Sequence, residues 1–143
     1  LHVYATRAEG VDYSKVHLEG WRTQQELLLE LSKGGGFGLV WGNSENPAEE
    51  RDYYKENVSY KLTTYLAAGI PVVVPDYLSN ADYIREKGVG FVVSSLEEAS
   101  RVVQECTAEE YNQMVTRAKY TAYLIKNGYF TKKLFIDSMM LLD

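Results

Sequence analysis

The chain is 143 residues long, the size of one domain, and 45% apolar, which argues for a packed core over disorder. Its formal net charge of -5 excludes a general nucleic-acid binder while leaving room for a local basic pocket. A lone cysteine, Cys106, excludes an internal disulfide and suits a reducing cytoplasm; no signal peptide is visible, and no apolar run reaches the roughly 20 residues of a membrane helix.

Leu1 already reads as strand and is not Met, so the chain is expected to begin inside a longer protein. "LHVYAT" (1–6) and "VHLEGW" (16–21) are short strand signals. "TQQELLLELSKGGG" is a helix that Thr23 caps, with Glu26 as the capping-box acid and Gly34 to Gly36 as the stop. "FGLVWG" (37–42) reads as a buried strand between glycines. The polar run 43–56, "NSENPAEERDYYKE", is expected to be a long loop, the kind that tends to carry function. A short amphipathic helix follows, stopped by Gly69, and then "PVVVP" (71–75). That continuous β-branched run fits a strand covered on both faces. Ser79 or Asn80 opens a helix over "ADYIREKG". "FVVSS" (91–95) is a further strand, and Ser94 or Ser95 caps "LEEASRVVQEC". Thr107 and Glu110 form a capping box that opens a long helix to about Asn127, and a last helix covers roughly 131–142.

Strands and helices alternate. The expected fold is therefore α/β: one Rossmann-like domain over 1–143, with a parallel sheet, helices on both faces and extra C-terminal helices. In such a sheet ligands bind beyond the carboxyl ends of the strands. The helix after the long loop starts at that edge, with Asn57 or Ser59 as its N-cap. Its first turn carries Lys61 and almost no acid, although helix N-termini favour negative charge. On a helical wheel Val58, Leu62, Tyr65, Leu66 and Gly69 share one face, while Asn57, Tyr60, Lys61 and Thr64 share the other. Free backbone N–H groups and a neighbouring ammonium suit a diphosphate. The alternative is a solvated lysine helped by Glu56. Arg7 follows a strand end and fits a surface role better than a phosphate contact. His2 and His17 lie within strands and read as structural, and one cysteine with two isolated histidines gives no zinc spacing. Trp41 reads as core. Trp21, in a Gly-Trp-Arg loop, fits core or stacking equally. The tyrosines at 53, 54, 60, 65, 77 and 83 suit sugar and interface contacts alike.

The stretch "NVSYKLTTYLAAGIPVVVPD" resembles the signature Asn-Pro-x-Lys-x-x-x-Tyr-Leu-Ala-Ala-Gly-x-Pro-Val-(Val/Ile) of the nucleotide-binding half of GT-B glycosyltransferases. The matching residues are Asn57, Lys61, Tyr65, Leu66, Ala67, Ala68, Gly69, Pro71, Val72 and Val73. Val58, Ser59 and Tyr60 make the first spacing one residue longer than the signature. Within that class the chain is similar to bacterial galactofuranosyltransferase-like enzymes. It is more similar still to the cytoplasmic glucosyltransferases that extend O-GlcNAc on serine-rich-repeat adhesins.

The resemblance implies a C-terminal, donor-binding half whose N-terminal acceptor domain, and whose own first strand and helix, lie outside the chain. It implies a UDP-sugar donor bound without metal or other cofactor, and a glycoprotein acceptor met through the absent domain. It also implies a general base supplied from that domain, and a cytoplasmic location. Lys61, Tyr60 and the amides near Asn57 to Ser59 would bind the pyrophosphate. Gly20 and Trp21 would lie by the nucleobase, and Ser44 near the sugar or phosphates. Many retaining GT-B enzymes carry two glutamates eight positions apart; here those positions hold Glu56 and Thr64, so a ribose contact would fall to the Thr64 hydroxyl. The apolar stripes of the last two helices are core, or else dock on the absent domain or on a second copy. The rival reading of the whole chain is a non-catalytic nucleotide-binding or oligomerisation module.

Overall fold

A computed structural model describes residues 1–7, 9, 12–42 and 46–141. Two short strands open it, β1 (His2–Val3) and β2 (His17–Leu18), paired in parallel with His2 opposite His17. Helix α1 (Gln24–Lys33) follows, then β3 (Gly38–Leu39), α2 (Pro47–Glu56), α3 (Tyr60–Ala68) and β4 (Val72–Pro75). Helix α4 (Ala81–Lys87), β5 (Gly90–Val93), α5 (Leu96–Glu105), α6 (Ala108–Lys126) and α7 (Tyr129–Met140) complete the order. Strands β3, β4 and β5 form a second parallel sheet with β4 at its centre. Among the described residues the parallel strands thus lie in two small sheets rather than the single one expected, because the β1–β2 ladder is two residues long and does not extend to β3.

The valines of β4 show why helices cover both faces of the larger sheet. Val72 and Val74 point into one core with Val40, Leu62 and Leu66 of α3, and Ala81 and Ile84 of α4. Val73 points the other way, against Val93 and Ala99 of α5, with Phe37, Leu39, Trp41 and Phe91 packed around it. The side-chain period of two along a strand divides the apolar run between two layers of helix. Each of these valines is at most 2% exposed, and full burial of such a side chain is worth about 1.5–3 kcal/mol. This is a Rossmann-like α/β arrangement.

Several helix termini follow the predicted chemistry, whereas Ser59 at the start of α3 and Asn80 at the start of α4 make no side-chain cap hydrogen bond. Thr23 and Thr107 both make full capping boxes, with Glu26 and Glu110 reaching back to the cap backbone. Ser95 caps α5, while Ser94 instead receives the Glu98 carboxylate on both its N–H and its hydroxyl. Gly69 and Gly88 close α3 and α4 in the left-handed region, at φ +78° and +59°, where a Cβ is strained.

One expected loop is a helix. Residues 47–56 form α2, so the long connection is shorter than the sequence suggested. Asn46 accepts from the Ala48 N–H, proline occupies the first turn, Glu49 and Glu50 complement its dipole, and Lys55 sits in the last turn. It has no apolar stripe: Tyr54 is the residue it buries, at 8% exposure. Helix α7 is the reverse case, apolar yet with no buried residue.

Candidate functional site

Helix α3 carries Tyr60, Lys61 and Thr64 of the predicted site residues, with Ser59 at its start. It begins at Tyr60, and Ser59 is its N-cap residue without a side-chain cap hydrogen bond. No acid occupies its first turn. Asn57 belongs to the previous element: it is the C-cap of α2, and its side-chain amide donates to the Tyr53 carbonyl at 3.0 Å. Tyr60 and Lys61 are exposed, as the wheel requires, and Ser59 is buried. The Lys61 ammonium reaches across to the end of β3, where it donates to the Trp41 carbonyl at 3.2 Å. That contact sets the cation at the carboxyl edge of the larger sheet, beside the uncapped start of α3.

Two wheel assignments are corrected. Thr64 does not share the exposed face; it is 7% exposed, and its hydroxyl donates to the Tyr60 carbonyl at 3.0 Å. The cause is that α3 is covered on more than one side, by β3 and β4 and also by α1 and α6. A buried threonine inside a helix satisfies its hydroxyl on the preceding turn. Val58, expected to pack on the sheet, is 64% exposed because it precedes the helix. It borders an apolar cleft of about 450 Å³ between α3, α4, α6 and α7, with Leu62, Leu66, Tyr83, Ile125 and Phe130. That cleft lies on the α6–α7 side of α3 and does not include Lys61.

The loop after β2 is held by charge. The Arg22 guanidinium donates to Glu30 at 2.9 Å and to the Trp21 carbonyl at 3.1 Å. Gly20 takes φ +79°, and Trp21 stands out 66% exposed. Burial raises the Tyr4 hydroxyl, and the Glu30 and Glu19 charges add to that. Burial likewise raises Tyr65 of α3, with Tyr4 as the next influence, so the β1 end and α3 are electrostatic neighbours. His2 and His17 stack at 5.1 Å, and His2 pairs with Glu19 at 2.6 Å, in keeping with a structural role. The Arg7 guanidinium lies 5.7 Å from the Tyr13 ring. Ser44 lies outside the described residues.

Tyr77, on the loop after β4, joins several of these parts. Its hydroxyl donates to Glu50 of α2 at 3.0 Å. Burial, then the Glu50 hydrogen bond and charge, push that hydroxyl up to about 12. Trp41 meets the Tyr77 ring edge-on at 6.5 Å, and the Arg51 guanidinium covers it at 5.1 Å. The Ser79 N–H donates to the Tyr54 carbonyl at 2.9 Å, which ties the same loop to α2. Sequence reasoning noted Tyr77 only within a run of tyrosines, and it passed over Glu50. The visible signal was the Asn-Pro-Ala-Glu-Glu start of α2. Among the described residues no group of three or more metal-ligating side chains converges. None of the described helices is long and apolar enough to cross a membrane.

Comparison with known proteins places this architecture in a class. Glucosyltransferase 3 of Streptococcus gordonii is 56% identical over 140 residues, covering 98% of this chain and 42% of the relative. Glucosyltransferase 3 of Streptococcus parasanguinis is 36% identical over 124 residues, 87% of this chain and 36% of that protein. The beta-1,6-galactofuranosyltransferase WbbI of Escherichia coli (strain K12) is 33% identical over 98 residues, 66% of this chain and 30% of the enzyme. The chain is thus a glycosyltransferase domain, spanning less than half the length of these relatives. A family model of the Glucosyltransferase 3-like C-terminal domain matches residues 1–138, and the chain belongs to that family.

Proposed function

We propose that this chain is the donor-binding half of a GT-B glycosyltransferase, which moves glucose or another hexose from a UDP-sugar to a glycan on a serine-rich-repeat glycoprotein. The observation that carries the reading is the Lys61 ammonium, held against the Trp41 carbonyl beside an acid-free, uncapped helix start. A diphosphate there gains the α3 amides and the ammonium together. Its negative charge grows as the glycosidic bond breaks, so both groups bind the departing UDP more tightly in the transition state than in the ground state. Tyr60, Asn57 and Ser59 flank that position, and Gly20 and Trp21 face the base. No metal is needed, since the cation is a side chain. The acceptor and the general base come from the other half of the enzyme, and rate arises from bringing donor and acceptor together.

Calorimetry tests this. UDP and UDP-glucose are expected to bind well above AMP or GDP, and the isolated chain to bind UDP without transferring sugar in a radioactive assay. Equal weak binding of all four nucleotides would favour a non-catalytic module. Robust turnover by the isolated chain would refute the division of labour.

A further inference from the structure

The Trp41 carbonyl that receives Lys61 sits where the sheet stops holding the chain. The Val40 N–H donates to the Val73 carbonyl at 2.9 Å, and among the described residues no later ladder bond ties β3 to β4. Pro75, the last residue of β4, has no N–H with which to continue it. Trp41 and Gly42 are therefore placed by side chains. The Trp41 ring abuts Tyr77, and the Glu50 carboxylate presses against Gly42 so closely that a Cβ there would overlap it. The Tyr77 hydroxyl holds that carboxylate, so one residue braces both positions.

We propose that Tyr77 and Glu50 are positioning residues for the phosphate-binding cation: their hydrogen bond seats α2 on Gly42 and fixes the Trp41 carbonyl that orients Lys61. This rests on the donor-site reading above. A lysine is a point charge on a flexible stem, and a fixed acceptor removes part of the ordering cost before the ligand arrives. Neither residue touches the ligand in this account.

The test is a double-mutant cycle on the full-length protein, with UDP as the calorimetric probe and near-ultraviolet circular dichroism as the check on folding. Lys61→Ala is expected to weaken UDP about thirtyfold and Tyr77→Phe about fivefold, the scale of one lost hydrogen bond. With alanine at position 61, Tyr77→Phe is expected to add no further loss. Glu50→Ala should match Tyr77→Phe, and Glu50→Gln, whose amide oxygen still accepts, should restore most of the affinity. If Tyr77→Phe does not fold, Gly42→Ala, which drives the Glu50 carboxylate off its seat, serves in the same cycle. The proposal is overturned if the second substitution costs the same factor with or without Lys61. It is also overturned if Tyr77→Phe leaves UDP binding intact while Lys61→Ala weakens it. Unchanged binding in Lys61→Ala would remove the donor-site reading itself, and the proposal with it.

Discussion

Adding one methyl group at Gly38 tests how α3 is held on the sheet. Gly38 is buried in β3, and a Cβ built there would fall on the Tyr65 ring, on the body of the aromatic rather than a flexible tip. Two responses are open. Strand β3 can retreat, which strains the bonds from the Gly38 N–H to Pro71 at 2.8 Å and from Val40 to Val73. Otherwise Tyr65 swings out, exposing on the order of 100 Å² of apolar surface at about 25 cal/mol per Å², a loss of about 2.5 kcal/mol. Replacing glycine also removes unfolded-state freedom, which offsets about 0.5–1 kcal/mol. Gly38→Ala is therefore expected to destabilise by about 2 kcal/mol and to lower the melting temperature by about 4–8 °C. The assay is thermal melting by circular dichroism, repeated with alanine at position 65. Without the ring, the methyl group is expected to cost under about 0.5 kcal/mol. An equal cost in both backgrounds, or none in the first, would refute the packing account.

Three other outcomes are expected. Lys61→Ala should leave the melting temperature nearly unchanged, since the ammonium is exposed and makes one printed-length bond of 3.2 Å to a carbonyl. The same substitution should weaken UDP by about 2 kcal/mol, between the solvent and near-surface Coulomb limits, and raising salt from 0.05 to 0.5 M should shrink the difference by screening the exposed charge, which calorimetry at both salts checks. Backbone and hydroxyl hydrogen bonds from the Thr107 and Ser94 positions hold Glu110 and Glu98 below their ordinary value of 4.5, and the Thr23 hydroxyl and N–H do the same for Glu26. Their stabilisation is present above that ordinary value and is lost as pH falls through the depressed ones, so melting temperature should drop on acidification below about pH 4.5. Thr107→Ala should flatten that acid slope; an unaltered slope would show that the capping box contributes nothing to it.

Much of the fold was legible because its signals are local. The boxes at Thr23 and Thr107, the stop at Gly69 and the valine run of β4 each pair a residue type with one physical task. Helix α2 was not legible as a helix. Its propensity lies in the cap and charges rather than in an apolar stripe, and among its described side chains Tyr54 is the buried one. Lys61 stood out in the sequence because a cation at a helix start runs against the dipole, and its role as a donor contact is part of the proposal. Its acceptor, the Trp41 carbonyl twenty residues earlier, was not found, because only the packing of α3 across β3 brings the two together. Thr64 was misplaced for a related reason: a wheel knows one buried side, and α3 is covered on more than one.

Strand β4 carries a further consequence. A valine row sealed on both sides bears no polar mark to tell its faces apart, so sliding by one residue would exchange like for like and forfeit little apolar burial. Besides the close approaches at Gly38 and Gly90, the slide is opposed by Pro71 and Pro75, which bracket the row and cannot donate wherever a shifted neighbour would ask for a hydrogen. Two missing hydrogens thus add to the alignment in the middle of this domain, and replacing both prolines would loosen it without changing a single buried valine.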